Sequence, residues 1–314
     1  LEVKAGVLPD LHLGVISSDM GTKSVTAAPT RDVGGVGEGG CGGSGKDGRL
    51  LLDPELGVTG SFLTDVQLPD GTRQTNYGPS DPGAMLSTMI GIGGTGCGFE
   101  QPLHAMQRAL ENSANTGFLR PDAVLAIVFV TDEDDCSIRD PALFANDTSL
   151  DPLTSFRCTR SGVTCDDGGQ TPEDMSEIGV KGTCTASTDP GSLLQGVQLF
   201  YDSLIVLKGD PSRIAVSAVM ADPASVEVEL REPHAGASPV PALAPSCTKL
   251  RVEGPPLTGA PGVRLQTFLD LFPDHNSTGS ICDDSFSSAL EDTATLIAQV
   301  AGSQCLTKPI LDVD

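Results

Sequence analysis

Apolar positions gather into short runs separated by long stretches rich in glycine, proline and aspartate. In DLHLGVISSDMG, 10–21, Leu11, Leu13 and Val15 alternate with other residues and lead into Ser-Ser-Asp, which predicts a strand entering a loop. GSFLTDV, 60–66, predicts a second short strand. FEQPLHAMQRALENSANTG, 99–117, predicts an amphipathic helix: Phe99, Leu103, Met106 and Leu110 share a face, Pro102 suits the first turn and Gly117 the C-terminal cap. AVLAIVFV, 123–130, is apolar at every position and reads as a strand buried on both faces. It stops abruptly in Thr131-Asp132-Glu133-Asp134-Asp135-Cys136. SLLQGVQLFYDSLIVLKG, 192–209, predicts a long helix closed by Lys208-Gly209, and RIAVSAVMA, 213–221, another buried strand. GVRLQTFLDLFP, 262–273, predicts a short helix and TGSIC, 278–282, a weak edge strand. DDSFSSALEDTATLIAQVAG, 283–302, predicts a last helix with Leu290, Ile297 and Val300 as its spine.

Strands alternating with helices, two of them (123–130 and 214–220) apolar on both faces, imply an α/β fold: a mostly parallel central sheet flanked by helices. The stretches 21–60, 137–190 and 222–260 are too long for ordinary connections and read as loop insertions. Ligands of such sheets bind beyond the carboxyl ends of the central strands, and the acids at 132–135 stand at such an end.

Composition sharpens this picture. The chain has 314 residues with a formal net charge of −23, from 42 acids against 19 bases. Such a chain is repelled by phosphate backbones and anionic membranes, which argues against nucleic-acid partners, while its acids suit hard divalent cations. Mean hydropathy is near zero, and no run approaches a membrane span. Nine cysteines, Cys41, Cys97, Cys136, Cys158, Cys165, Cys184, Cys247, Cys282 and Cys305, fall mostly in loop-like text without a C-x-x-C pair. That disfavours zinc ribbons and points to disulfides, hence an oxidising compartment, secreted or at the cell surface. Nine is odd, so one is left over. Nine cysteines with one left out allow too many connectivities to choose by spacing; Cys158 with Cys165, closing a short loop, is the only pair favoured.

Candidate chemistry is sparse. Gly40, Gly45 and Lys46 match G-x-x-x-x-G-K, but Asp47 stands where Ser or Thr must hold magnesium, and neither strand nor helix frames the motif. GIGGTGCG, 91–98, reads as a glycine-rich entry to the helix. The four histidines, His12, His104, His234 and His275, form no triad, and no G-x-S-x-G elbow occurs. The acids before Cys136 blunt it as a nucleophile. A hydrolase or nucleotide-binding enzyme therefore lacks its machinery, and the chain reads as a non-enzyme.

AVLAIVFVTDEDD resembles the fourth strand of von Willebrand factor A (vWA) domains, apolar residues ending in T-D. LGVISSDMG, GCGFEQPL and VTDEDDCS are similar to secreted, cysteine-containing bacterial members, and the strands and helices follow in the order that fold expects. The resemblance covers roughly 1–305 as one vWA-like domain with disulfide-pinned loops, leaving 306–314 as a tail. It implies a protein-binding, adhesion-type module with a divalent cation, Mg2+ or Ca2+, whose open position takes an acid from a partner. Asp132 matches the fourth-strand metal ligand and Thr95 the second-loop threonine; Asp134 and Ser18 stand behind them as supporting groups, and Glu133 and Asp135 join Asp134 as supporting or solvated loop residues.

The family's D-x-S-x-S strand should precede the strand at 11–17, and residues 1–9 read as the end of a helix. The resemblance therefore implies that this central strand, with the main metal ligands, comes from outside the chain, from another segment or another protein. A literal D-x-S-x-S at Asp283, Ser285 and Ser287 opens the last helix and reads as capping. The alternative is a cation-independent structural or assembly module of a surface complex.

Overall fold

A computed structural model describes residues 9–33, 40–52, 54–78, 81–91, 95–233, 235–251 and 253–305, with side chains to 302 and without that of Pro54. The readings made for 1–8, His234, the Cys305 side chain and the tail 306–314 lie outside the described residues. In chain order the strands are β1 (Leu11–Leu13), β2 (Leu63–Gln67), β3 (Arg73–Thr75), β4 (Leu125–Val130), β5 (Val163–Cys165), β6 (Gly179–Val180), β7 (Cys184–Ala186), β8 (Ile214–Met220), β9 (Glu227–Arg231), β10 (Val240–Leu243), β11 (Cys247–Lys249), β12 (Leu257–Gly259) and β13 (Asn276–Ser280). The α-helices are α1 (Pro82–Ile90), α2 (Pro102–Glu111), α3 (Phe156–Gly162), α4 (Pro172–Met175), α5 (Val197–Lys208), α6 (Val263–Leu269) and α7 (Ser287–Cys305).

The chain is mixed α/β, with a parallel sheet in the order β13-β8-β4. Strand β8 is buried at every position, as its near-continuous hydrophobicity predicts, with the one polar side chain, Ser217, hydrogen-bonded. One face of the sheet packs Leu125, Phe129, Val216, Ala218 and Met220 against Leu103 and Met106 of α2, Phe200 and Leu204 of α5, and Leu265 and Phe268 of α6. The opposite face is covered over β8 by α7, through Ala215, Leu296 and Val300, and through a 2.6 Å hydrogen bond between the Ser217 and Thr293 hydroxyls. Strand β4 departs from expectation. Its second face is not buried: Val128 is 42% and Val130 55% exposed. Uniform apolarity could not reveal this, because α7 reaches over β8 but leaves β4 uncovered.

A second sheet, β1-β2-β3, is antiparallel and packs Leu63 and Tyr77 against Met85 and Met89 of α1. The two sheets meet without a ladder. Among the described residues β1 pairs with β2 and β4 with β8. At the start of the strands, Arg120 Nη2 donates to the Asp10 carbonyl at 2.8 Å and His12 Nδ1 lies 2.7 Å from the Phe118 carbonyl. At their ends, the Gln101 N–H donates to the Ser18 carbonyl at 3.0 Å. β1 and β4 therefore run the same way, joined end to end by intervening groups.

Helix boundaries differ from the pattern. α2 spans Pro102–Glu111; 99–101 lie outside the helix, whose Leu103 amide is capped by Asp135, 32 residues away, and 112–117 leave it because Asn112 turns to extended backbone and caps a 3-10 turn through the Ala114 N–H at 3.0 Å. α5 ends as expected at Gly209, in the left-handed region at φ 72°. The insertions carry their own structure: 137–190 holds α3, α4 and β5–β7, and 222–260 holds β9–β12.

Four disulfides pin these insertions: Cys41–Cys97, Cys136–Cys158, Cys165–Cys184 and Cys247–Cys282. They suggest an oxidising environment, and among the described residues no helix is long and apolar enough to cross a membrane. The favoured pair Cys158–Cys165 does not form. Helix α3 carries Cys158 toward Cys136 in a cluster with Ile138, Leu143 and Phe144, whereas Cys165 sits on β5 opposite Cys184 of β7. Non-reducing peptide mapping should recover Cys136–Cys158 and Cys165–Cys184 as separate linked peptides; a Cys158–Cys165 peptide would contradict this topology.

Candidate functional site

The acids after β4 divide into two pairs with opposite duties. Asp134 and Asp135 serve the fold. The Asp134 carboxylate accepts the Arg264 N–H at 2.9 Å and the Leu265 N–H at 3.1 Å, satisfying the first amides of α6. Asp135 is fully buried; it accepts the Leu103 N–H of α2 at 3.1 Å and the Ser137 hydroxyl at 2.6 Å, and pairs with Arg264 Nη2 at 3.0 Å. The Arg264 guanidinium is itself buried and also donates to the Gln195 carbonyl at 2.7 Å and the Gly162 carbonyl at 3.2 Å. The expectation of a solvated loop is thus corrected for Asp135, and Asp134 is taken up by helix capping. Two helix N-termini converge where β4 ends, and their orphan amides attract carboxylates that a sequence pattern cannot assign to a helix 130 residues on.

Asp132 and Glu133 face the sheet edge. Asp132 is exposed and its carbonyl accepts the Ala260 N–H at 2.8 Å. Thr131, buried, donates to Glu100 Oε2 at 3.2 Å, and the Glu100 carboxylate also bonds the Ser18 side chain. Burial, the charge of Asp132 and then that of Asp19 push the Glu100 carboxyl above the usual carboxylate range. Burial first, and next the charges of Glu100 and Asp132, push Glu133 up to about 8. Asp134 is raised to about 6 by desolvation, against the pull of the Arg264 and Leu265 amides. Groups from the end of β1, the entry to α2 and the end of β4 therefore form one cluster of mutually repelling carboxylates at the carboxyl end of the sheet.

Glycines shape its rim. Asp19 Oδ1 accepts the Gly21 N–H at 2.9 Å. A Cβ on Gly45, at φ 52°, would meet Asp19 Oδ1 at 2.3 Å and the Gly21 nitrogen at 2.6 Å, so this approach requires glycine. A Cβ on Gly96 would lie 3.4 Å from the Asp19 Cβ, which sets Thr95, exposed, beside the cluster. Sequence reasoning missed Asp19 and Glu100 as cluster members; the Ser-Ser-Asp strand end and the acid just before Pro102 were the available signals. Asp47, which spoils the G-x-x-x-x-G-K match, is paired with Lys23 at 2.5 Å and Arg108 at 3.1 Å. His104 of α2 is fully buried and lies 3.0 Å from Gln101 Oε1; burial, then the charges of Lys23 and Arg108, lower it to about 4.

Among the described residues, no three His, Cys, Asp or Glu side chains are grouped so as to hold a metal ion. The Asp132 and Thr95 side chains supply at most three of the roughly six to eight oxygens a hard cation takes. These residues alone do not make a complete metal centre. Compared with family models, curated proteins and solved structures, the chain has no significant match.

Proposed function

We propose that the protein is a secreted or cell-surface protein-binding module of vWA type that receives its partner at the acidic sheet edge formed by Ser18, Asp19, Glu100, Asp132 and Glu133. The observation that carries this reading is the convergence of carboxylates at the carboxyl end of a parallel sheet: the Thr131 hydroxyl at the end of β4 holds Glu100 at 3.2 Å, beside Asp132, Glu133 and Asp19. Such an edge gains from a cation, and binding sites of parallel sheets lie at this end. Asp132 and Thr95 are the residues that would ligate Mg2+ or Ca2+, with further ligands from outside residues 1–314. Bound there, the cation would offer an acidic partner group an attachment point. The role is binding, without catalytic residues.

Calorimetric titration of MgCl2 and CaCl2 at pH 8, with thermal unfolding alongside, tests this. The wild type should give saturable heat and a midpoint rise of about 2–4 °C at millimolar cation, both lost in Asp132→Ala. Flat traces in both proteins would overturn the cation reading. The cation-independent assembly module would then be favoured, since the described residues form no complete ligand set.

A further inference from the structure

Residues 42–49, GGSGKDGR, fail as a phosphate loop yet fold into a chain of tight turns. The Gly45, Asp47 and Arg49 N–H groups donate three residues back, to the Gly42 carbonyl at 3.3 Å, the Ser44 carbonyl at 2.9 Å and the Lys46 carbonyl at 3.0 Å. In the last turn Asp47 has φ 50° and Gly48 φ 63°, positive at both central positions as a type I′ turn requires. Lys46 and Arg49 are the two ends of that turn, so their Cα atoms lie within about 7 Å of each other. The loop is fixed in place. Cys41 is bonded to Cys97. The Lys46 N–H donates to the Asp19 carbonyl at 2.8 Å, and the Asn112 and Asn115 side chains donate to the Asp47 and Gly48 carbonyls at 2.9 and 2.8 Å. A Cβ on Gly48 would meet the Ala109 nitrogen at 2.6 Å, so the turn lies directly on α2.

This anchoring sorts the charges. Asp47 is taken up by Lys23 and Arg108. Lys46 and Arg49 are exposed, and among the described residues neither side chain has a hydrogen bond or an ion pair. Ser44 is half-buried, and its amide and hydroxyl have no partner among the described residues either. These three residues line one cleft of about 280 Å³, together with Gly45, Asp47 and Leu51. Two adjacent cations without a countercharge run against a chain of 42 acids and 19 bases. A carboxylate would offset one of them. A tetrahedral dianion, phosphate or sulfate, offsets both and keeps an oxygen for Ser44. The net charge of −23 repels a polyanion, but a small ion at the loop feels distant acids only through screening over roughly 8–10 Å. We propose that residues 44–49 bind a single phosphate or sulfate group, free or as the terminal ester of a small molecule, with Lys46 and Arg49 as its cationic contacts and Ser44 as a neutral donor. The proposal rests on no property of the acidic edge and needs no metal.

Backbone amide NMR of the full chain at pH 7.5 in low salt tests this. Sodium phosphate, sodium sulfate and glucose 6-phosphate are the probes, with sodium acetate and sodium chloride at matched ionic strength as controls. The amides of Ser44 and of 46–49 should shift saturably with phosphate and with sulfate, and at least about tenfold more weakly with acetate. Tighter binding of glucose 6-phosphate than of phosphate would assign the site to an ester-borne group, and equal or weaker binding to the free anion. Changing Lys46→Gln and Arg49→Gln together should abolish saturation while the rest of the spectrum is kept, since both side chains are exposed. Lys46→Arg, which keeps the charge, should still saturate. Three results would overturn the proposal: no saturable shift in this loop; the same shifts with chloride or acetate as with phosphate; or unchanged affinity in the double glutamine variant. No divalent cation is added, so failure here is distinct from failure of the cation titration.

Discussion

Replacing Asp135 with alanine is expected to cost roughly 3–5 kcal/mol of stability, the largest effect of any single acid in this protein. The carboxylate is fully buried, and its loss would strand the buried Arg264 guanidinium, 3.0 Å away, without a countercharge. It would also orphan the Leu103 amide at the start of α2. Arg264→Ala should cost a similar amount, for the mirror-image reason. The double variant should cost clearly less than the sum, since each single change already breaks the same pair. Asp132→Ala, three residues away and exposed, should stay within about 0.5 kcal/mol. Urea unfolding of the four proteins checks this. If Asp132→Ala proved as costly as Asp135→Ala, the division between fold-serving and edge-facing acids would be wrong.

The second large effect is on pH. Glu133 titrates near 8 in the folded protein against an ordinary 4.5, because burial and then the charges of Glu100 and Asp132 oppose its ionisation. Between those values the folded state holds a proton that the unfolded chain has released. The associated stability is therefore fully present below about pH 4.5 and is lost as pH rises through 8. Asp134, raised to about 6 from 3.8, acts in the same direction over a lower window. Thermal midpoints should fall from pH 5 to pH 8 in low salt. Glu133→Gln should flatten that slope and raise stability at pH 8 by roughly 1–3 kcal/mol, a figure discounted for its partial exposure. A wild-type midpoint that rises over this interval, or a Glu133→Gln profile parallel to the wild type, would remove the crowding on which the binding reading depends. A divalent cation bound at this edge would act oppositely, by favouring the ionised carboxylates at pH 8.

Much of the fold was legible because its signals are local. Strand β8 is apolar at every position but Ser217 and is buried at every position. Helix α5 closes on Gly209 as Lys208-Gly209 suggested. The short strand near 278 lies at a sheet edge, as its weak hydrophobicity implied. The cysteine-rich loops did announce disulfides. Their pairing was not legible, because whether Cys158 meets Cys136 or Cys165 depends on where α3 points.

The sequence by itself determined the class of this protein: alternating strands and helices, a buried parallel strand, an acidic chain with disulfide-pinned insertions, and a run of acids at a strand's carboxyl end. Hydrophobic period, turn residues and charge are properties of neighbouring residues, and so they survive in one dimension. Only the tertiary structure decided what each acid does. Asp134 and Asp135 are claimed by helix amides and an arginine about 130 residues away, whereas Asp132 and Glu133 crowd Glu100 and Asp19 from other elements. The same distinction separates β4 from β8, both strongly apolar strands. One is covered by helices on both faces and the other is left open along an edge and a face, because burial is set by what packs against a strand and not by its own composition.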